Sequence, residues 1–189
     1  MNNSILIVGV GGQGTLLASR ILGVYATLKG YDVKLSEVHG MSQRGGSVVT
    51  HVRFGEKIYS PIIPIGDADY ILAFEELEGL RFIDYLKEDG LIFVNTQKIP
   101  PMPVITGAAV YPEDIEKKIA DKRTAVFIDA LSYATQAGSQ RAVNTVLVGA
   151  LLKKLGATPE EALEALRSVV KPSILDINER ALMSGYNEI

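Results

Sequence analysis

Apolar positions along the chain fall into short blocks punctuated by glycine, proline and charge. Ile5-Leu6-Ile7-Val8 is a continuous apolar run ending at glycine, the pattern of a strand buried on both faces. Gly9-Val10-Gly11-Gly12-Gln13-Gly14 follows, after which Leu17, Ile21 and Leu28 recur at helical spacing. Asp32 to Glu37 alternates and predicts a second strand. Together these segments predict a β-turn-α-β unit, a parallel pair joined by a right-handed crossover.

Ser47 to Phe54 is rich in β-branched residues and predicts a strand, with Gly55-Glu56-Lys57 turning it into Ile58-Tyr59 as a hairpin. Pro61 and Pro64 bracket an irregular crossing. Tyr70 to Phe74 reads as a central strand, followed by an acidic helix start at Glu75, Glu76 and Glu78. Leu91 to Val94 and Ala125 to Asp129 are two further strands, and Pro100-Pro101-Met102-Pro103 between them predicts a rigid loop. The remainder is helical. Ala142 to Leu155 is an apolar helix ending at Gly156, where a glycine cap belongs. Thr158-Pro159-Glu160-Glu161 supplies an N-cap, an N1 proline and a glutamate at N3, and Leu163, Leu166 and Val170 give the helix its apolar stripe. Lys171-Pro172 marks a break before one more short helix. Strands alternating with helices predict a three-layer, Rossmann-like α/β domain with a mostly parallel sheet and a helical C-terminal tail.

Composition narrows the classes. With 189 residues, 47% of them apolar, residues 1–189 suffice for a single well-buried domain. A net charge of −3 argues against a nucleic-acid binder with a basic surface. There is no apolar run of transmembrane length, and Met-Asn-Asn-Ser lacks the charged and apolar regions of a signal peptide, so a soluble cytoplasmic protein is expected. The chain has no cysteine, which removes disulfides, a thiol nucleophile and cysteine ligation of an iron–sulfur cluster by this chain. His39 and His51 are the two histidines, so a zinc site would have to lean on carboxylates, and none is expected.

Two segments carry candidate chemistry. Gly9, Gly11 and Gly14 fit G-x-G-x-x-G between a strand and a helix, where backbone N–H groups attract an anion and glycine lets it approach. Glu37 ends the second strand, where a dinucleotide-binding protein places its ribose-binding acid, so a stand-alone NAD-binding protein or a nucleotide-binding scaffold is one reading. Another is that the glycines serve close helix–strand packing and hold nothing. The second segment, Glu37-Val38-His39-Gly40-Met41-Ser42-Gln43-Arg44-Gly45-Gly46-Ser47, packs three glycines, a cation and several hydrogen-bonding side chains together. Arg44 could pair with a phosphate or carboxylate in bidentate fashion, flanked by Gln43 and Ser47, or could be a solvated surface arginine. His39 suits a hydrogen-bonding spacer, and His51 a structural or interface residue. Asp67 and Asp129 show no basic partner in sequence and are assigned no catalysis.

Taken together, the glycine turn and the Glu37–Ser47 segment resemble the gamma-type domain of 2-oxoacid:ferredoxin oxidoreductases, with the likeness nearest to the beta subunit of the indolepyruvate-type enzymes. It extends through Val48 to Phe54, Asp69 to Glu75 and Asn144 to Gly149. The resemblance implies an accessory subunit of an enzyme that decarboxylates a 2-oxoacid oxidatively, here an aryl pyruvate, using coenzyme A as co-substrate and giving an acyl-CoA and reduced ferredoxin. Thiamine diphosphate and iron–sulfur clusters would reside in a larger alpha-type partner subunit, in keeping with the missing cysteines and the lack of a Gly-Asp-Gly motif. Ferredoxin would be met through the complex. On this reading Gly11, Gly12, Gln13 and Gly14 offer donors to a phosphate or to partner carboxylates. His39, Ser42, Gln43, Arg44, Gly45 and Gly46 face the partner's active site. No residue of this chain is assigned bond-breaking chemistry, no metal is held, and the isolated chain is expected to be inactive and able to self-associate as a homodimer.

Overall fold

The computed structural model of the chain describes residues 2–37 and 45–189. A six-stranded sheet in the order β2-β3-β1-β4-β5-β6 forms its middle layer, from β1 (Asn3–Val10), β2 (Asp32–Glu37), β3 (Ser47–Gly55), β4 (Ala68–Ala73), β5 (Leu86–Asn95) and β6 (Thr124–Ile128). β1, β4, β5 and β6 run parallel, while β3 is antiparallel to both β1 and β2.

Alternation along the central strands builds the two outer layers. Ile5 and Ile7 of β1, with Leu72, Phe74 and Phe93, face a core closed by α1 (Thr15–Leu28), α5 (Ala130–Ala137), α6 (Val143–Lys154), α7 (Pro159–Arg167) and α8 (Pro172–Asn187). Leu6 and Val8, with Ile71, Ile92 and Val94, face a smaller core under α2 (Glu76–Phe82) and α4 (Ile115–Ala120). A short helix, α3 (Met102–Ile105), buries no residue. Each fully buried aliphatic side chain contributes about 1.5–3 kcal/mol, so the doubly buried β1 is the thermodynamic centre of the sheet.

The predicted strands are present apart from the hairpin arm at Ile58-Tyr59, but the first two are not neighbours. β3 lies between β1 and β2, pairing Ile5 with Val52 on one side and Leu35 with Val52 on the other. A strand as apolar as β1 needs a partner on each edge. Half-polar β2 suits the sheet margin, where its residues are only partly covered. The expected hairpin into Ile58-Tyr59 does not form. Instead the Ile58 N–H donates to Asp32 Oδ2 at 2.9 Å, and Tyr59 is left in solvent.

The predicted break at Pro172 opens a 16-residue helix rather than a short one, with proline serving its first turn. Met102 to Ile105 is helical within the predicted proline loop. The Thr158–Glu161 capping box is present in both directions, and Gly156 takes the left-handed conformation that ends α6. α6 and α8 cross at their glycines: a Cβ on Gly149 would lie 2.0 Å from the Leu182 carbonyl, and one on Gly185 1.8 Å from that of Val146. Among the described residues no helix is long and apolar enough to cross a membrane.

Candidate functional site

β1 is the strand at which the sheet's connections diverge, with α1 leading away on one side and β4 beginning the other half, and the glycine turn sits at its carboxyl end. This is the position where open α/β sheets build ligand sites. Gln13 fixes the turn from within: its Oε1 accepts the Val10 N–H at 2.7 Å and its Nε2 donates to the Phe74 carbonyl at 2.9 Å. Gln13 is thus a brace between the ends of β1 and β4. The Gly11 N–H donates to the Gly46 carbonyl at 2.8 Å, bringing the end of the second predicted segment against the first.

Gly12 and Gly14 adopt φ of +101° and +83° and differ in surroundings. A Cβ on Gly12 would meet nothing within 4 Å, whereas one on Gly14 would lie 2.4 Å from Asn144 Nδ2. Asn144 cannot step aside freely. Its Nδ2 donates to the Gly14 carbonyl at 3.0 Å, its Oδ1 accepts the Thr145 N–H, and Thr145 Oγ1 donates to Asn178 Oδ1 at 2.8 Å. A buried polar chain therefore runs from the turn through α6 into α8, a role the sequence does not advertise for Asn144 beyond its place in the resemblance.

Gly14 caps α1 without any side-chain bond, and no acid occupies the first turn. The N–H groups of Gly12 and Gly14 have no partner among the described residues. The positive end of a 14-residue helix is thus left open. A cavity of about 320 Å³ adjoins it, where Gly12, Gln13 and Gly14 meet Gln97, Gln140 and Arg141. Arg141 is exposed and has no ion pair among the described residues. A smaller cavity of about 250 Å³ opens on the other side of the turn, toward Thr15, Leu16 and Val48. Backbone donors with a nearby guanidinium suit an anion of phosphate type.

The other predicted residues divide sharply. Gly45 is exposed with φ +91°, and Gly46 holds Gly11 as described. His39, Ser42, Gln43 and Arg44 lie outside the described residues. Glu37 accepts a hydrogen bond from Ser19 Oγ at 2.9 Å, which ties β2 to α1. His51 accepts the Ile63 N–H at Nδ1, and burial holds its pKa below the ordinary value, so it is a neutral structural acceptor. Asp67 does have a basic neighbour, Arg53 at 3.9 Å, and Asp129 caps α5 through the Ser132 N–H.

Sequence reasoning missed the acids beside the turn. Glu75, Glu76 and Glu78 are all buried at the carboxyl end of β4. Glu75 accepts from the Glu78 and Ile99 N–H groups at 2.9 and 3.1 Å and from the Tyr111 hydroxyl, so it caps α2 and clamps the segment after β5. Desolvation, with Glu75 beside it, pushes the Tyr111 hydroxyl far up and keeps it a donor. Glu78 is held by Arg81 at 2.7 Å and by Ser47, the first residue of β3. Burial raises the pKa of Glu78 and of Glu76; the Lys98 ammonium, 3.5 Å from Glu76 Oε1, opposes the rise without a well-aligned hydrogen bond. The available signal was position: acids directly after a fully apolar strand can fold back onto the N–H groups of the helix they open.

Comparison with known proteins identifies the family and the fold. The family described as pyruvate ferredoxin/flavodoxin oxidoreductase matches residues 4–188. The chain is similar to the indolepyruvate oxidoreductase subunit IorB of Thermococcus kodakarensis, 46% identical over 96% of this chain and 93% of that one. The corresponding subunit of Pyrococcus horikoshii is 44% identical over the same shares. In fold it is similar to the crystal structure of pyruvate oxidoreductase subunit PORC from Thermotoga maritima, with a TM-score of 0.75 and 24% identity over 98% of this chain and 96% of that chain.

Proposed function

This chain belongs to the pyruvate ferredoxin/flavodoxin oxidoreductase family, in which it is an accessory, gamma-type subunit, and we propose that its complex is of the indolepyruvate type. The complex would decarboxylate an aryl pyruvate oxidatively, pass electrons to ferredoxin and transfer the acyl group to coenzyme A. Thiamine diphosphate would supply the carbanion chemistry and iron–sulfur clusters the electron path, both in a larger alpha-type subunit. This chain does not fit a cluster, because it offers no cysteine thiolate. It does fit a phosphate, and the observation that carries this is the uncapped start of α1 with the Gly12 and Gly14 N–H groups beside Arg141. Those groups would receive a coenzyme A phosphate or a partner carboxylate, while Gln13 and the Gly11–Gly46 bond hold the turn in shape. His39, Ser42, Gln43, Arg44, Gly45 and Gly46 would form the edge that faces the partner. The assembly would work in the cytoplasm.

The partner would also cover apolar surface. Met102, Ile105 and Val110 are exposed in a segment, residues 99–110, that contains no charge and begins at the Glu75 clamp. Alone, the chain could use such a surface to form a homodimer.

Mixing tests the reading. The purified chain is expected to reduce no viologen dye, and activity with aryl pyruvate and coenzyme A should appear when a thiamine- and cluster-bearing subunit is added. Arg44→Ala should impair assembly or turnover of the mixture. Micromolar binding of NAD by the isolated chain, or dye reduction without a partner, would refute the proposal.

A further inference from the structure

A second site lies at the opposite end of the sheet, where β1 and β4 begin. It is a cavity of about 360 Å³, within the size range of small-molecule sites. Tyr25 of α1, Tyr31 beyond it, Phe54 of β3 and Tyr70 of β4 supply its rings, and Lys29 and Lys154 its charges. Tyr31 and Phe54 pack with their centroids 5.7 Å apart, giving one wall a continuous aromatic surface.

Tyr25 adds a polar group to this aromatic lining. The residue is only 4% exposed, but its hydroxyl oxygen is accessible and has no hydrogen-bond partner among the described residues, so it is available to a ligand in the cavity. Burial raises its pKa, so the group remains a donor. Charge narrows the ligand further. Glu161 holds Lys29 at 2.5 Å, whereas Lys154 has no ion pair among the described residues, and no carboxylate lines the cavity. An adjoining cavity of about 340 Å³ shares Tyr70 and Lys154 and includes Asp69 and Asp89. Asp69 is engaged by Lys87 at 2.6 Å and by the Ser4 N–H.

The carboxyl ends of α1 and α6 also approach the cavity and would disfavour an anion. Three of the last four carbonyls of each helix, however, are taken by the N–H groups of Lys29, Gly30 and Tyr31, and of Leu155, Gly156 and Ala157. The Lys154 ammonium is then the unpaired charge that lines this cavity, with the Asp89 carboxylate in the adjoining one.

We propose that this cavity binds a small aromatic carboxylate, with the ring against Tyr31, Phe54 and Tyr70 and the carboxylate on Lys154, the Tyr25 hydroxyl being a further donor. The class includes the aryl 2-oxoacid of the reading above, but the chemistry stands without it. Calorimetric titration of the full chain with phenylacetate, acetate and phenylacetamide tests it. Phenylacetate is expected to bind once per chain, and acetate (no ring) and phenylacetamide (no charge) to bind at least about tenfold more weakly. Lys154→Gln should weaken phenylacetate by about tenfold, and Tyr25→Phe, which keeps the buried ring, by a few-fold, roughly the effect of one lost hydrogen bond. Lys117→Gln, on the far face in α4, should change nothing. Absence of saturable binding, equal binding of phenylacetamide, or equal losses with Lys154→Gln and Lys117→Gln would overturn the proposal. None of these results depends on whether the chain assembles with an alpha-type subunit.

Discussion

Two neighbouring parallel strands, β1 and β4, each end in a turn that opens a helix, and the two turns are built on opposite principles. After β1 the chain places glycines, an uncapped helix and backbone N–H groups without partners among the described residues. After β4 it places Glu75, Glu76 and Glu78, and Glu75 occupies the helix start itself. One helix N-terminus is satisfied internally by a carboxylate and the other is left for an anion from outside. The difference teaches that openness at α1 is a local choice, since the same sheet edge shows how such an end is closed.

Substitutions can break that contrast. The largest loss is expected from Gly14→Ala, which combines a left-handed residue with a collision against the fixed Asn144 amide and should cost about 3 kcal/mol in urea unfolding. Glu75→Ala removes a cap and frees Tyr111 and the segment at Ile99. A loss of about 2 kcal/mol is expected, with faster proteolysis within residues 99–111 as the local readout. Gly12→Ala meets no atom and should cost about 1 kcal/mol from backbone conformation alone. Its effect should fall on coenzyme A binding or subunit assembly instead, so a Gly12→Ala protein that assembles and turns over normally would count against an open anion site.

The smallest effect has the opposite sign. Burial lifts the Glu76 pKa above the ordinary 4.5, so the folded state binds that proton more tightly than the unfolded chain does. Ionisation therefore removes stability as pH rises from 4.5 through the raised value, and the loss is complete above it. Glu76→Gln should be slightly more stable than the parent at pH 7, the gap closing below pH 4.5. Urea midpoints at the two pH values would check this, and a less stable variant at pH 7 would mean that the Lys98 pairing outweighs burial.

What the sequence disclosed, and what it hid, follow the range of the interactions. The β1 run, the glycine turn and the Thr158–Glu161 box depend on residues a few positions apart, and each is present as read. The placement of β3 between β1 and β2 depends on which distant strand covers the most apolar one, which alternation alone does not encode. Glu75, Glu76 and Glu78 read only as an acidic helix start, because burial of a carboxylate is decided by remote partners such as Ile99, Tyr111, Lys98 and Ser47. The bracing role of Asn144 is hidden for the same reason, its partners being Gly14 on one side and, through Thr145, Asn178 on the other.

That relay has a consequence for how the molecule comes apart. α6 and α8 touch backbone to backbone at Gly149 and Gly185, and Asn144 fastens them to the first turn of α1. The beginning of the chain and its last helix thus belong to one cooperative unfolding unit, and their amides should exchange with solvent at similar, slow rates. Near residue 14 the backbone inherits its order from residue 178, so trimming the C-terminal helix would loosen an anion site formed near the N-terminus.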